Sequence, residues 1–221
     1  MVSQRKPAKG RGAAKERAYA YTKQRLLDSR FPGGSMLSEG EVASALELSR
    51  TPVREAFVQL ESEGLLRLYP KRGALVVPVS SAEVLGVIEV RSLIEQFAVD
   101  KVIERSIDLT DELAASIAAQ EQLAARRDAE GFVEADREFH RIIIVATSNP
   151  VLLGFYDTLR DRQRRMIALS LSRDPDRTRD VISQHRELAL AIAARDAPAA
   201  HDVLERHLLR HVREAAGIPA A

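Results

Sequence analysis

The 221-residue sequence contains no cysteine and no tryptophan, and only 5% of its residues are aromatic. Without cysteine the chain can form neither a disulfide scaffold nor a thiolate metal site. No apolar run approaches the roughly 20 residues that a membrane helix needs, and the N-terminus lacks the apolar stretch of a signal peptide. These absences favour the reducing cytoplasm as the compartment and exclude the membrane as a partner.

The charge of the sequence is unevenly distributed, although its formal net value is only +1. Residues 1–80 carry 14 Lys and Arg against 8 Asp and Glu, which gives +6, whereas the remainder carries −5. Hydrophobic residues make up 45% of the chain, which is enough to build cores. We therefore expect a folded protein whose N-terminal part binds a polyanion.

The pattern of polar and apolar residues predicts a mainly α protein with two domains. Residues 1–17 are basic and aperiodic and are predicted to be a disordered tail, which either solubilises the chain or adds phosphate contacts. Residues 18–79 predict three helices and a hairpin, which together form a winged helix-turn-helix DNA-binding domain. Residues 80–217 predict an antiparallel bundle of about six helices. These helices are expected near 81–106, 110–128, 131–147, 150–172, 176–195 and 198–216.

Local signals place the elements of the first domain. Ser38 and Glu41 form a capping box that opens a helix ending at Leu46. Ser49 is placed to cap the third helix, whose buried face is given by apolar residues at helical spacing. The two strands of the hairpin are predicted at 65–69 and 74–79.

The exposed start of the third helix is the predicted DNA-reading surface, since such residues reach base edges in the major groove. The fork of an arginine can bind guanine bidentately, and helix amides can hold a phosphate. The basic hairpin tip is expected in the minor groove. The alternative is that these are ordinary solvated charges. The predicted contact residues are Ser49, Arg50, Thr51, Arg54, Lys71, Arg72 and Gly73.

All five histidines lie beyond residue 139. Asp136 and His140 share the apolar stripe of one predicted helix, and His185 and His207 lie on the stripes of two others. Buried polar groups need partners, and one divalent metal would satisfy all four. The alternative is a set of histidines that are hydrogen-bonded in the core. His211, one turn after His207, is a competing ligand candidate.

Two sets of motifs resemble a known family. Segments 37–46, 49–56, 60–65 and 71–73 closely resemble the GntR signature, with Ser49-Arg50-Thr51-Pro52-Val53-Arg54-Glu55-Ala56 the most specific run. The Asp136-to-His140 motif, followed by Ser148-Asn149-Pro150 and two later histidines, resembles the FCD effector domain of FadR-type GntR regulators. The resemblance implies a homodimer that binds double-stranded, near-palindromic operator DNA and a metal. Six helices rather than seven would be closer to the shorter, VanR-like subgroup.

Two positions depart from the family pattern. Gly40 replaces a residue that is often arginine, so one DNA contact is expected to be missing. Glu47 stands where the turn usually has glycine, and a left-handed residue there costs about 1 kcal/mol relative to glycine.

The resemblance also implies a small carboxylate effector, such as an organic or sugar acid, held against the metal and a nearby arginine. Arg91 is the candidate, although it could instead pair with Glu95 one turn away. Asn149, Tyr156 and Gln163 share a helix face and are expected to line the pocket. Zinc or nickel would suit the ligand set almost equally.

The sequence thus predicts a ligand-responsive transcriptional regulator, preferably a repressor released by its ligand, and not an enzyme. Three alternatives stay open: a metal-dependent hydrolase-like domain fused to a DNA-binding module, a structural metal in a dimerisation domain without an effector, and a DNA-architectural protein.

Overall fold

In the computed structural model, the backbone is described for residues 9–173 and 177–215, and side chains within these ranges except at 9–11, 170, 172, 173 and 210–215. The chain divides between Pro78 and Val79 into two compact units. Its elements are α1 (Lys9–Leu27), β1 (Met36–Leu37), α2 (Glu39–Leu46), α3 (Arg50–Ser62), β2 (Leu66–Tyr69), β3 (Gly73–Val76), α4 (Ser81–Glu104), α5 (Thr110–Ala125), α6 (Ala129–Ala146), α7 (Pro150–Thr158), α8 (Arg160–Arg173), α9 (Thr178–Ala193) and α10 (Ala197–Ala215).

The N-terminal unit is a winged helix-turn-helix, as predicted. Helices α1, α2 and α3 enclose an apolar core that includes Val53, Phe57 and Leu60, all fully buried. Strands β2 and β3 pair as an antiparallel hairpin, and β1 pairs antiparallel with β3 on its other side. The two-residue strand β1 was not predicted, because two residues show no alternation.

The connections around α2 follow the local signals. Ser38 accepts a hydrogen bond from the amide of Glu41, whose side chain accepts one from the amide of Ser38, so the predicted capping box is present. Glu47 ends α2 in the left-handed region at φ 54°, as expected. Ser49 occupies the N-cap position of α3, but within the described residues its side chain makes no capping hydrogen bond.

The predicted disordered tail is wrong for residues 9–17, because α1 begins at Lys9. Ala18 is fully buried against the core of the unit, which anchors the helix. A helix anchored in this way extends at little cost through good helix formers such as Ala13, Ala14 and Lys15. Residues 1–8 lie outside the described residues.

The C-terminal unit is an all-helical bundle in which α4, α5, α6, α9 and α10 pack around the largest core. The described residues form seven helices there rather than six, because 150–172 divides into α7 and α8 at Leu159. Its amide still bonds to the carbonyls of Tyr156 and Asp157, and no glycine or proline marks the break. The helix count that favoured the VanR-like subgroup is therefore wrong.

None of the helices in the described ranges combines the length and the apolar character that crossing a bilayer demands.

Candidate functional site

Four buried side chains converge inside the C-terminal unit. Helix α6 provides Asp136 and His140, α9 provides His185 and α10 provides His207. One ligand atom from each lies within 4.8 Å of the others. The Nε2 atom of His140 is 3.2 Å from Nε2 of His185 and 3.2 Å from Nε2 of His207. The structure thus brings together all four residues of the predicted metal set, whereas the side chain of His211 lies outside the described residues.

Two of the imidazoles contact neutral acceptors on their outer sides. His185 Nδ1 is 2.7 Å from Oε1 of Gln120, and His207 Nδ1 is 2.9 Å from Oε1 of Gln184. An amide oxygen facing Nδ1 keeps the proton on that nitrogen and leaves the lone pair on Nε2. The sequence analysis missed both glutamines, since no helical period links them to the histidines.

The third imidazole faces an anion. His140 Nδ1 lies 2.9 Å from Oε2 of Glu95, although the two atoms are not aligned as a hydrogen bond requires. A lone pair on Nδ1 would be repelled by a carboxylate oxygen at this distance, so the proton belongs on Nδ1 here as well. All three Nε2 lone pairs consequently face one another.

This arrangement fits a cation. Three lone pairs that point at one another repel unless a positive charge lies among them. The buried Oδ2 of Asp136 also has no hydrogen-bond partner within the described part of the chain. In a tetrahedral zinc site with bonds of about 2.0–2.1 Å, ligand nitrogens lie about 3.3 Å apart, close to the 3.2 Å observed. Three imidazoles and a carboxylate therefore suit a divalent transition metal.

The protonation states agree with this fit. Burial lowers the pKa of the His185 imidazole well below its ordinary value, and the positive charge of Arg91 lowers it further. His185 is therefore neutral at physiological pH, which is the form that binds metals. Burial raises the pKa of the Asp136 carboxyl, while His140 and Arg91 oppose this rise. A bound cation would favour its ionised form further.

Arg91 and Glu95 form a fully buried ion pair beside the cluster, as the alternative interpretation of Arg91 expected. Arg91 Nε donates to Oε1 of Glu95 at 2.7 Å, and the hydroxyl of Tyr156 donates to the same oxygen at 3.1 Å. Although burial raises the pKa of Glu95, Arg91 and His140 hold it at about 2, so the carboxylate is ionised. Among the described residues, Nη1 and Nη2 of Arg91 have no partner.

The other predicted effector residues have different positions. Gln163 is buried, and within the described ranges its Nε2 has no hydrogen-bond partner. Asn149 is exposed, and its side-chain oxygen accepts hydrogen bonds from the amides of Val151 and Leu152. Asn149 therefore caps α7 instead of joining the buried groups.

The burial of Arg177 was not predicted from the sequence. Arg177 is buried at the start of α9, and its charge lowers the pKa of Asp136. It lies at the predicted start of the 176–195 helix, where no period indicates which side chains point inward.

The predicted DNA-reading residues lie on the surface of the N-terminal unit. Arg50, Thr51 and Arg54 are exposed at the start of α3. The intervening residues Pro52 and Val53 are buried. Arg54 Nε is 3.9 Å from Glu39, an ion pair that solvent weakens because the arginine side chain is 75% exposed. The helix face that carries these residues is therefore accessible to a ligand.

Around Arg50 the glycine at position 40 leaves room. A Cβ atom built on Gly40 would lie 3.5 Å from Arg50 Nη2. The guanidinium of Arg50 therefore lies near the first turn of α2, and a side chain at position 40 would reach it at ordinary van der Waals distance.

The hairpin tip is basic and tightly turned. Lys71 and Arg72 are exposed, and Lys71 adopts a left-handed φ of 63°. Gly73 has φ 101°, and a Cβ built on it would lie 2.6 Å from the carbonyl oxygen of Leu37. The pairing of β3 with β1 thus requires glycine at this position, independently of any contact with DNA.

A winged helix-turn-helix joined to a helical unit with an internal histidine–aspartate cluster defines a ligand-responsive DNA-binding regulator. Residues 14–76 match the family model "Bacterial regulatory proteins, gntR family", and residues 86–210 match the FCD domain. The chain belongs to the GntR family of transcriptional regulators and carries an FCD domain, which confirms the resemblance seen in the sequence.

Known relatives are similar along much of the chain. The gluconate operon transcriptional repressor of Bacillus subtilis is 28% identical over 67% of this chain and 61% of that protein. The Escherichia coli transcriptional repressor RspR is 27% identical over 90% of this chain and 86% of its own. The solved structure of E. coli McbR/YncC is 22% identical, covers 98% of this chain and 99% of its own, and superimposes with a TM-score of 0.68. This likeness supports the fold.

Proposed function

We propose that the protein is a homodimeric repressor that a small carboxylate releases from its operator by binding beside a divalent metal in the C-terminal unit. The observation that carries this proposal is the pair of buried, unpartnered nitrogens on Arg91, within the described residues, next to the histidine cluster. A buried cationic donor without a partner is costly. An incoming anion would remove that cost.

The metal would be held by Asp136, His140, His185 and His207. When bound, it supplies a Lewis acid that can accept a carboxylate oxygen. Zinc and nickel are the metals that we favour, since imidazole and carboxylate ligands suit both.

The effector carboxylate would lie across Nη1 and Nη2 of Arg91, because the planar fork of arginine matches two carboxylate oxygens. Gln163 Nε2 is a further buried donor for an oxygen-rich ligand. A sugar acid or a related organic acid therefore fits the donor set best. The gluconate operon repressor among the relatives is in keeping with this class.

The two units would have different functions. We propose 18–79 as the DNA-binding domain and 80–217 as the effector-binding and dimerisation domain. Operator contacts would come from the start of α3 and from the wing, and a two-fold symmetric dimer would select a near-palindromic operator. The proposed DNA-contacting residues are Ser49, Arg50, Thr51, Arg54, Lys71, Arg72 and Gly73.

Dimerisation is favoured by the exposed apolar side chains of the C-terminal unit. Leu93 and Val151 are 73% and 80% exposed, and large apolar groups on a surface are commonly covered by a partner. Sedimentation of the purified protein should give twice the mass of the chain. A monomer at micromolar concentration would contradict this part of the proposal.

Thermal unfolding of the metal-loaded protein against a panel of organic, amino and sugar acids tests the effector site. An acid present at 100 times its Kd should add about 2.7 kcal/mol to the free energy of unfolding. Chelation of the metal, or Arg91→Ala, should abolish the shift, whereas Arg141→Ala on the surface of α6 should preserve it. If no acid shifts the midpoint while chelation melts the protein, the metal is structural and the effector role is wrong.

We also propose that the site has no enzymatic activity. A metal with open coordination positions can activate water, so this proposal needs its own test. The relatives reported above are transcriptional repressors. Prolonged incubation of the metal-loaded protein with each acid that binds should return the acid unchanged. Turnover would establish a hydrolase-like function instead.

A further inference from the structure

Glu95 stands out among the described groups around the cluster because its carboxylate contacts an imidazole from the outer side of the cluster. His185 and His207 face the neutral amides of Gln120 and Gln184. His140 faces the Glu95 carboxylate at 2.9 Å. The three imidazoles are therefore not equivalent, although each directs Nε2 toward the same point.

The environment of Glu95 keeps its charge in place. The side chain is buried, and its Oε1 accepts hydrogen bonds from Arg91 Nε at 2.7 Å and from the Tyr156 hydroxyl at 3.1 Å. These two donors act on Oε1, whereas Oε2 lies 2.9 Å from His140 Nδ1, a contact that acts through charge because the two atoms are not aligned as a hydrogen bond. Arg91 lies one turn away on the same helix, α4, so its contact fixes the rotamer of the carboxylate.

We propose that Glu95 is a positioning residue that holds the proton of His140 on Nδ1 and so turns the Nε2 lone pair toward the metal. This inference rests on the proposed metal site, and it gives Glu95 a role beyond pairing with Arg91. A carboxylate behind a metal-bound imidazole fixes the ring and strengthens its donor nitrogen. His140 lies 3.2 Å from both other histidines through this nitrogen, so its orientation affects the whole ligand set.

The test uses the full-length protein with its metal removed and histidine side chains labelled with 15N. Two-bond proton–nitrogen spectra distinguish the two tautomers, and His140→Gln identifies the resonances of His140. The wild-type protein should show His140 with its proton on Nδ1, and Glu95→Gln should move the population toward Nε2–H. Glu138→Gln, which removes an exposed carboxylate on the same helix as His140, is the matched control and should change neither.

Zinc affinity, measured by competition with a chromophoric chelator, is the second readout. We expect Glu95→Gln to bind zinc about 10–100-fold more weakly than the wild type, with Glu138→Gln unchanged. Equal zinc affinity and an unchanged tautomer in Glu95→Gln would overturn the role of Glu95 and leave the metal site intact.

The two proposals can fail separately. If the wild-type protein binds no zinc, the metal function is wrong, yet the tautomer of His140 in the metal-free protein still decides the role of Glu95. If Glu95→Gln does not fold, the wild-type spectrum alone decides it. A wild-type His140 with its proton on Nε2 would refute the inference.

Discussion

At Gly73 the chain leaves the hairpin tip and begins β3 with φ 101°, and the carbonyl oxygen of Leu37 occupies the space that a side chain would need. Gly73→Ala should therefore destabilise the N-terminal unit by more than about 1 kcal/mol, because both the backbone conformation and the close contact oppose a Cβ. Chemical denaturation followed by circular dichroism measures this loss. Gly12→Ala is the control: this glycine lies inside α1 with nothing near its built Cβ, so stability should be kept or slightly increased.

Glu47 presents the opposite case, in which glycine is the better residue. Its φ of 54° puts a side chain in the left-handed region. Glu47→Gly should stabilise the N-terminal unit by about 1 kcal/mol, as read from the denaturation midpoint. Glu47→Ala keeps the Cβ and should give no comparable gain. A similar gain in both variants would mean that the charge, and not the backbone, sets the cost.

Two of the basic residues on the proposed DNA surface, Arg50 on α3 and Lys71 at the hairpin tip, should act differently. Arg50→Ala should cost about 1–3 kcal/mol in operator binding and relax base preference at one position, as expected for a base contact. Lys71→Ala should weaken binding to all sequences alike and reduce the salt dependence by about one charge. Fluorescence anisotropy over a salt series, with operator and random duplexes, separates these outcomes. Uniform losses in both variants would make Arg50 a phosphate contact.

At this scale the sequence predicts which polar residues are buried in the cluster better than it predicts their neighbours. Asp136, His140, His185 and His207 are recognisable because each polar residue interrupts an apolar helical stripe. The contact between Glu95 and His140 depends on how α4 packs against α6, and periodicity along one helix carries no information about packing between helices. Asn149 shows that sharing a helix face does not ensure burial. It was predicted on the same face as Tyr156, which is buried, yet Asn149 is exposed and caps α7.

At the scale of elements, the proposed metal site joins α6 to α9 and α10, from which α6 is separated along the chain by α7 and α8. Metal removal should therefore lower the thermal midpoint of the C-terminal unit and leave that of the N-terminal unit unchanged. Differential scanning calorimetry of metal-loaded and chelator-treated protein measures both. His185→Ala should reproduce the effect of chelation, and His201→Ala should not, because His201 pairs with Asp100 outside the cluster. Equal thermal midpoints of the C-terminal unit with and without metal would contradict the proposal that a metal holds these helices together.

Elements with strong local signals could be predicted from the sequence, and elements held by tertiary contacts could not. The limits of α2 follow from a capping box and a left-handed end, both visible in the residues. The early start of α1, the two residues of β1 and the break at Leu159 have no such marker. Strand β1 in particular depends on its pairing with β3, which local patterns do not specify.

At the scale of the whole molecule, the uneven charge and the change between helical and strand periodicity were sufficient to predict a DNA-binding unit followed by a helical unit. The helices α2 and α3 and the hairpin of β2 and β3 confirm this expectation for the first unit. The step from fold to regulation needs one further link, between the buried cluster and operator affinity. Linkage requires that a ligand which weakens DNA binding is itself bound less tightly in the presence of DNA.

The most direct test is the operator affinity of the metal-loaded protein, measured by anisotropy with and without the acid that shifts its thermal midpoint. We predict that the acid weakens operator binding about 5–150-fold, the usual range of allosteric coupling, and that Arg91→Ala binds the operator normally but no longer responds. An acid that binds at the cluster and leaves operator affinity unchanged would contradict the proposed release mechanism.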